Sequence, residues 1–188
     1  PVLASNWRGE WTLSDYLKRE GIVGIADIDT RKLTRMLRDK GAQDGCIMAG
    51  AIDEEQALQA AREFPGLVGM DLAKVVSCKN VYDWTEAAWS LGSGYAQRGD
   101  ARFHVVAYDY GVKRNILRSF AARGCTVRVF PAATPLADVM AWQPDGLFFS
   151  NGPGDPRVMP DAVETVKAAM ATGLPLFGIC LGHQLMAL

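Results

Sequence analysis

Residues 174–182 read Leu-Pro-Leu-Phe-Gly-Ile-Cys-Leu-Gly, an apolar run that ends in a cysteine with a glycine two positions away on each side. Glycine, nucleophile and glycine at this spacing form a nucleophile elbow, the sharp turn on which a strand passes into a helix. Glycines at 178 and 182 would keep side chains out of the crowded backbone around Cys180. The helix expected from Leu181 would place its unpaired N–H groups beside the sulfur, where they favour the thiolate. A buried structural cysteine is the other interpretation of this spacing, because free cysteines are commonly buried.

The region that leads into this turn alternates strands with helices. The pattern predicts strands at 103–108, 125–130, 146–150 and 174–179, and helices at 112–123, 136–142 and 161–171. Such alternation is typical of an open parallel sheet with right-handed crossovers and helices on both faces. We therefore expect an α/β fold whose ligands bind at the carboxyl ends of the strands.

The loop after the third of these strands is the second candidate for a site. It reads Ser-Asn-Gly-Pro-Gly-Asp-Pro over residues 150–156. Glycines and prolines in this density fix an exposed backbone whose N–H groups can be aimed at a developing negative charge. The backbone N–H of Leu181 is a further candidate donor of this kind. A plain tight turn is the alternative, but the loop and Cys180 both follow strands of one sheet, which favours a shared site.

The first hundred residues predict a mixed α and β region. Three capping positions indicate helix starts, at Thr12, at Asp29 or Thr30, and at Asp53, and the runs at 22–28 and 46–49 indicate strands. For residues 70–89 the pattern predicts only short strands and turns.

A glycine-rich stretch poor in apolar side chains follows, as in interdomain linkers. We accordingly expect one domain over residues 1–90, a linker over 91–102 and a second domain over 103–188.

Composition limits the kinds of partner. The chain has 188 residues, 49% of them hydrophobic, and a net charge of −1, which argues against nucleic acid or an anionic membrane as partner. No apolar run reaches the length of a membrane span. The four cysteines lack metal or redox spacing, so we expect no metal site, and without a secretion signal we expect a cytoplasmic location. The start at Pro1 and the stop at Leu188, inside an apolar helical pattern, predict a piece of a longer protein.

Two long motifs together resemble a known family. Residues 151–156, Asn-Gly-Pro-Gly-Asp-Pro, followed by residues 177–184, Phe-Gly-Ile-Cys-Leu-Gly-His-Gln, are similar to the class I (triad) glutamine amidotransferase domain. Residues 105–117 resemble the start of that domain in the small-subunit family of carbamoyl-phosphate synthetases. Residues 25–35 resemble the amino-terminal domain of the same subunit, which other members of the class lack.

The resemblance implies a role for individual residues. Cys180 would attack the side-chain amide of L-glutamine, form a thioester and release ammonia. The backbone N–H groups of Gly152 and Leu181 would bind the oxyanion, and Gly154 and Gln184 would contact the glutamine. Ammonia would pass to a large synthetase subunit that makes carbamoyl phosphate for pyrimidine and arginine synthesis. ATP and Mg²⁺ are expected on that subunit, and no cofactor is expected on this chain.

The chain departs from the family pattern in its general base. A thiolate mechanism uses a histidine oriented by a carboxylate, and the only histidines are His104 and His183, for both of which we expect structural roles. The family's histidine and glutamate lie in the later part of the domain, so we expect negligible hydrolysis by these 188 residues alone. A catalytically silent scaffold of the same fold is one alternative. The glutaminase of another amidotransferase is a second, which the first hundred residues disfavour.

Overall fold

The chain divides into two compact units. The computed structural model describes residues 6, 7 and 9–188. One unit is Pro1–Gly66 and the other is Leu67–Leu188.

The described residues of the first unit contain three helices, α1 (Leu13–Arg19), α2 (Thr30–Lys40) and α3 (Glu54–Glu63). Each begins at its predicted capping residue. A side-chain oxygen of Thr12, Asp29 or Asp53 accepts a hydrogen bond from the backbone N–H three residues later, at 3.1, 2.8 and 3.0 Å respectively. These bonds satisfy N–H groups that a helix start leaves unpaired, so the local prediction of all three helices is confirmed.

The two strands predicted in this unit are absent. Residues 22–28 and 46–49 form no strand, and in the described part of the first unit no segment pairs with them. Ile25 and Ile47 are 59% and 55% exposed. A run of β-branched residues favours an extended backbone. A strand forms only when a neighbouring strand completes its hydrogen bonds. The prediction of these strands was therefore wrong for lack of a pairing partner.

The second unit is built on seven strands: β1 (Tyr82–Trp84), β2 (Glu86–Ser90), β3 (Gly94–Gln97), β4 (Phe103–Asp109), β5 (Cys125–Pro131), β6 (Gly146–Phe149) and β7 (Leu176–Gly178). Its helices are α4 (Leu72–Val76), α5 (Arg114–Ala121), α6 (Leu136–Met140), α7 (Pro160–Met170) and α8 (Leu181–Met186), with a short 3₁₀ helix at Pro156–Val158. The main sheet has the order β1-β5-β4-β6-β7. All its pairs are parallel except β1 with β5. The predicted α/β fold with a parallel sheet is confirmed.

Residues 91–102 differ from the predicted linker. They complete a hairpin, since β3 pairs antiparallel with β2. Gly92 and Gly94 adopt φ values of 88° and 71° in its turn, a conformation that glycine reaches without steric cost. The compact units divide earlier, after Gly66. The glycine-rich composition thus marks a hairpin turn here, while the assignment of 1–90 and 103–188 to separate family domains stays a prediction.

Both faces of the main sheet are packed in buried clusters, so the carboxyl ends of its strands are held rigidly where the loops begin. Successive residues of β4 point to opposite faces, as the period of a strand requires. Tyr108 and Phe149 belong to one buried cluster with residues of α7 and α8. Ala107 and Phe148 belong to the other, with residues of α5. The loops that follow β4, β6 and β7 all leave the sheet at the same edge.

Candidate active site

Cys180 lies on the turn between β7 and α8 with an exposed side chain. Its backbone has φ 52° and ψ −111°, and it directly precedes the first residue of α8. Positive φ is uncommon for residues other than glycine and costs on the order of 1–3 kcal/mol, so it persists only where the surroundings enforce it. The exposed sulfur excludes the alternative of a structural cysteine packed in the core.

The glycines on each side of this turn are required by close backbone contacts. A Cβ at Gly178 would lie 2.7 Å from the carbonyl carbon of Gly182 and 2.8 Å from the backbone nitrogen of His183. A Cβ at Gly182 would lie 2.5 Å from the carbonyl carbon of Phe149. Real Cβ atoms do not approach other atoms this closely, so the predicted steric reason for the two glycines is confirmed.

The loop after β6 is fastened to the loop after β4 by side-chain hydrogen bonds. The Ser150 hydroxyl oxygen accepts from the backbone N–H of Tyr110 at 2.8 Å, and the hydroxyl donates to the carbonyl of Asn151 at 2.8 Å. The Asn151 carboxamide accepts from the N–H of Lys113 at 3.2 Å and donates to the carbonyl of Gly111 at 2.9 Å. Four hydrogen bonds therefore hold the start of the loop.

Gly152 lies too close to the neighbouring loop for any larger residue. A Cβ there would meet the carbonyl group of Tyr110, with the carbonyl carbon only 2.8 Å away. Gly154 adopts a φ of 110°, in the region that favours glycine. Glycine is therefore required at 152 because the neighbouring backbone is close, and at 154 because the backbone has a positive φ.

The cysteine turn and the loop after β6 are joined directly. The N–H of Ile179 donates to the carbonyl of Phe149 at 3.1 Å, and the N–H of Gly182 donates to that of Ser150 at 3.0 Å. In the part of the chain that the structure describes, the N–H groups of Gly152 and Leu181 donate to no protein acceptor. The structure thus brings together the two predicted features, and each of them carries one unused N–H donor, Gly152 in the loop and Leu181 at the cysteine turn.

The remaining predicted contacts lie on α8. Leu181 is fully buried and anchors the first turn of the helix in the core. Gln184 donates its backbone N–H to the carbonyl of Cys180 at 2.9 Å, while its side chain is exposed. Its carboxamide is therefore accessible on the helix that starts at the cysteine turn and can both donate and accept hydrogen bonds.

The two histidines lie in β4 and α8, and His104 is remote from Cys180. His104 is the second residue of β4 and stacks on Trp142, with ring centroids 5.2 Å apart. It lies five residues from the carboxyl end of its strand, a separation of about 17 Å. His183 is an exposed residue in the first turn of α8.

Asp109 is a site-supporting residue that sequence reasoning missed. Its buried carboxylate accepts hydrogen bonds at 2.8 Å from the N–H groups of Gly111, Val112 and Cys78. The first two form an Asx-type turn after β4, which an aspartate at a strand end followed by a tyrosine and a glycine could have indicated. The third ties the loop to a residue 31 positions away, for which the sequence carries no signal.

Cys78 is a thiol whose surroundings keep it protonated. Its partial burial, together with the neighbouring Asp109 carboxylate, raises the pKa of the Cys78 thiol to about 11. The same two causes, burial first, raise the pKa of Tyr82 to about 12. Since the thiolate is the nucleophilic form, Cys78 is unreactive at neutral pH.

A segment upstream of the sheet packs against both site loops. Val76 of α4 has its Cγ2 atom 3.0 Å from the position of a Cβ at Gly111. The carbonyl oxygen of Met70 lies 3.5 Å from the position of a Cβ at Gly154. Residues 70–78 therefore pack against the loops after β4 and β6. The sequence predicted only short strands and turns for this segment.

Within the residues that the structure describes, no group of three or more His, Cys, Asp or Glu side chains is placed to hold a metal ion. None of the helices described is long and apolar enough to cross a membrane.

Comparisons with known proteins agree with the geometry. The family model of glutamine amidotransferase class-I matches residues 106–188. That of the carbamoyl-phosphate synthase small chain, CPSase domain, matches residues 2–47.

Curated relatives match the whole chain. It is 60% identical over 189 residues to the carbamoyl phosphate synthase small chain of Thioalkalivibrio sulfidiphilus, covering 100% of this chain and 50% of that protein. The small chain of Halomonas eurihalina is 58% identical over 195 residues, covering 100% and 51%. That of Ralstonia nicotianae is 57% identical over 188 residues, covering 100% and 50%. The chain spans about half the length of these relatives. It belongs to the carbamoyl phosphate synthase small-chain family, and its residues 106–188 are part of a class-I glutamine amidotransferase domain.

Proposed function

We propose that the protein is the glutamine-hydrolysing subunit of a carbamoyl phosphate synthase. It would hydrolyse L-glutamine through a thioester on Cys180 and pass the ammonia to a large synthetase subunit. The observation that carries this proposal is the exposed, positive-φ Cys180 on a turn hydrogen-bonded to Phe149 and Ser150, where the loop after β6 begins. Family membership and the relatives' printed name support the same reaction.

The chemistry uses groups that the site brings together. The Cys180 thiolate adds to the amide carbon of glutamine, and the carbonyl oxygen becomes an oxyanion. The unused N–H groups of Gly152 and Leu181 would stabilise that charge, each worth on the order of 3 kcal/mol of the barrier. Collapse expels the amide nitrogen, which takes up a proton and leaves as ammonia. Water then attacks the thioester, releases glutamate and restores the thiol.

The substrate contacts follow from the same arrangement. Gly154 lacks a side chain where the glutamine would pass close to the main chain, and the accessible Gln184 carboxamide can pair with the polar groups of the substrate. We assign Gly154 and Gln184 to glutamine binding on this basis.

The general base is expected outside these 188 residues. His104 lies near the opposite end of its strand, and His183 lies three residues after Cys180, within α8. Relatives of the chain are about twice its length. We therefore propose that a histidine of that further region activates Cys180, and that these 188 residues alone turn over glutamine negligibly.

The proposal also assigns a partner and a compartment. ATP and Mg²⁺ would act on the large synthetase subunit, because thioester hydrolysis itself needs only a nucleophile, a base and oxyanion donors. All four cysteines are free thiols, which suits the reducing cytoplasm that we propose as the location.

Covalent labelling tests the proposal. The complete gene product is treated with a chloroketone analogue of glutamine, and the rates of modification of Cys180 and Cys46 are compared by mass spectrometry. Cys46 is the matched control, because it is also exposed but lies in the other compact unit. We expect selective labelling of Cys180 that free glutamine suppresses. Equal rates at the two cysteines would favour a catalytically silent scaffold.

A further inference from the structure

The peptide group between Asn151 and Gly152 is held in one orientation by a buried hydroxyl. Ser150 has 0% exposure, and its oxygen accepts from the N–H of Tyr110 at 2.8 Å. Its single hydroxyl hydrogen is donated to the carbonyl oxygen of Asn151 at 2.8 Å. A serine hydroxyl has a single hydrogen to donate, and here that hydrogen is committed to the carbonyl of Asn151.

The orientation of that carbonyl determines the direction of the next N–H. In a trans peptide the C=O and N–H bonds point in opposite directions. Because the carbonyl of Asn151 points to the buried Ser150 hydroxyl, the N–H of Gly152 points away from it. A peptide rotated by half a turn would present the carbonyl oxygen in place of the N–H and would repel a developing oxyanion.

Glycine at 152 makes such a rotation sterically accessible. Close approach to the Tyr110 carbonyl excludes a side chain at this position. Glycine, however, adopts positive and negative φ about equally well, so the residue itself does not choose between the two peptide orientations. The choice must come from hydrogen bonds made by its neighbours.

The Asn151 side chain supplies a second restraint from a fixed surface. It bonds to the carbonyl of Gly111 and the N–H of Lys113, at 2.9 and 3.2 Å. That loop is itself held by the Asp109 carboxylate, which accepts the N–H groups of Gly111 and Val112 at 2.8 Å. Asn151 is therefore held by a loop that is itself fixed to the end of β4 through Asp109.

We infer that Ser150 and Asn151 are positioning residues, whose side chains hold the Asn151–Gly152 peptide so that the Gly152 N–H remains available to the oxyanion. This inference rests on the proposed glutaminase function. The side chains of Ser150 and Asn151 would orient the oxyanion donor, the Gly152 N–H. Neither side chain need touch glutamine for this. Their loss should act on the transition state more than on substrate binding.

Steady-state kinetics of the complete gene product test the inference. Ser150→Ala and Asn151→Ala are compared with Ser119→Ala and Asn115→Ala, two changes of the same kind on α5. Removing an oxyanion donor outright lowers kcat by about 10²- to 10³-fold, so loosening one should lower kcat by about 10- to 100-fold. We expect KM for glutamine to stay within about twofold and both controls to match the parent.

Alkylation of Cys180 by iodoacetamide separates positioning from damage, because that reaction forms no oxyanion. An unchanged alkylation rate beside a reduced kcat would support the inference. An unchanged kcat in both variants, or equal losses in kcat and alkylation, would overturn it. If Ser150→Ala fails to fold, Asn151→Ala carries the same test.

A crystal structure of the Ser150→Ala complete gene product tests the structural half independently of activity. We expect the carbonyl of Asn151 to be rotated or present in two orientations, and a single unchanged orientation would contradict the inference. Failure of the proposed function is recognised separately, as absence of selective analogue labelling in the parent protein.

Discussion

The backbone N–H of Gly182 donates a hydrogen bond of 3.0 Å to the carbonyl oxygen of Ser150. This contact joins the helix that starts beside Cys180 to Ser150, the first residue of the loop at 150–156. It is possible only because Gly182 has no side chain, since a Cβ would lie 2.5 Å from the carbonyl carbon of Phe149. One glycine thus permits one of the two hydrogen bonds that join the turn at Cys180 to the end of β6 and the loop after it.

Substitution of that glycine should damage both stability and the site. In Gly182→Ala the new methyl group forces α8 away from β6, so we expect the free energy of unfolding to fall by about 1–3 kcal/mol. Analogue labelling of Cys180 should slow in the same variant. Urea denaturation and labelling rates are the measurements. Gly99→Ala is the control, because no atom lies within 4 Å of a Cβ there, and a Gly182→Ala protein equal to it would contradict the steric argument.

The reactivity of Cys78 should depend on pH in a way set by Asp109. Its pKa of about 11, against an ordinary value of 9.0, leaves about one thiol in a thousand ionised at pH 8. Alkylation of Cys78 should therefore be slow at pH 8 and accelerate up to about pH 11. Asp109→Asn removes the carboxylate charge, so it should lower the pKa of Cys78 and move this acceleration to lower pH.

The raised pKa of Cys78 also makes the stability of the folded protein depend on pH. Because the folded protein holds the Cys78 proton more tightly than the unfolded chain, the contribution to stability is complete below about pH 9. It is lost as the pH rises toward 11. Unfolding curves of the parent and Cys78→Ser between these values should converge as the pH rises, and a constant difference would count against the shift.

The hairpin of β2 and β3 should depend on Arg118. This side chain is 15% exposed, and its Nε donates to Glu86 at 2.6 Å. Its guanidinium carbon lies 3.9 Å from the centroid of the Tyr95 ring. Loss of a charged hydrogen bond and a cation–π contact should lower the free energy of unfolding by about 1–3 kcal/mol in Arg118→Ala. Arg38→Ala, with a side chain 81% exposed, should change it little, and equal effects would contradict the assignment.

Sequence reasoning succeeded where the cause of a structure is local. Each of the first three helices begins with a hydrogen bond between residues only three positions apart, from the N–H to the side chain of Thr12, Asp29 or Asp53. The turn at Cys180 depends on sterics within five residues, so the spacing of its glycines is sufficient to predict it. The regular alternation after residue 102 likewise predicts the parallel sheet, because each strand is followed by its own crossover helix.

It failed where a partner lies far along the chain. Residues 22–28 have the composition of a strand but no neighbour in the described part of their unit. The glycines at 92 and 94 signal a bend without showing whether the flanking residues pair. Helix α4 was missed although Asp71 caps it, accepting from the N–H of Lys74 at 3.1 Å. The bond from Tyr110 to Ser150 spans 40 residues, so the support of the oxyanion loop could not be predicted.

Trapping of the covalent intermediate tests the central claim most directly. The complete gene product is mixed with glutamine, quenched in acid within its first turnovers, digested and analysed by mass spectrometry. We predict one glutamyl group on the peptide that contains Cys180, and none in Cys180→Ser. Release of ammonia with no adduct on that peptide, or undiminished release by Cys180→Ser, would contradict the assignment of Cys180 as the nucleophile.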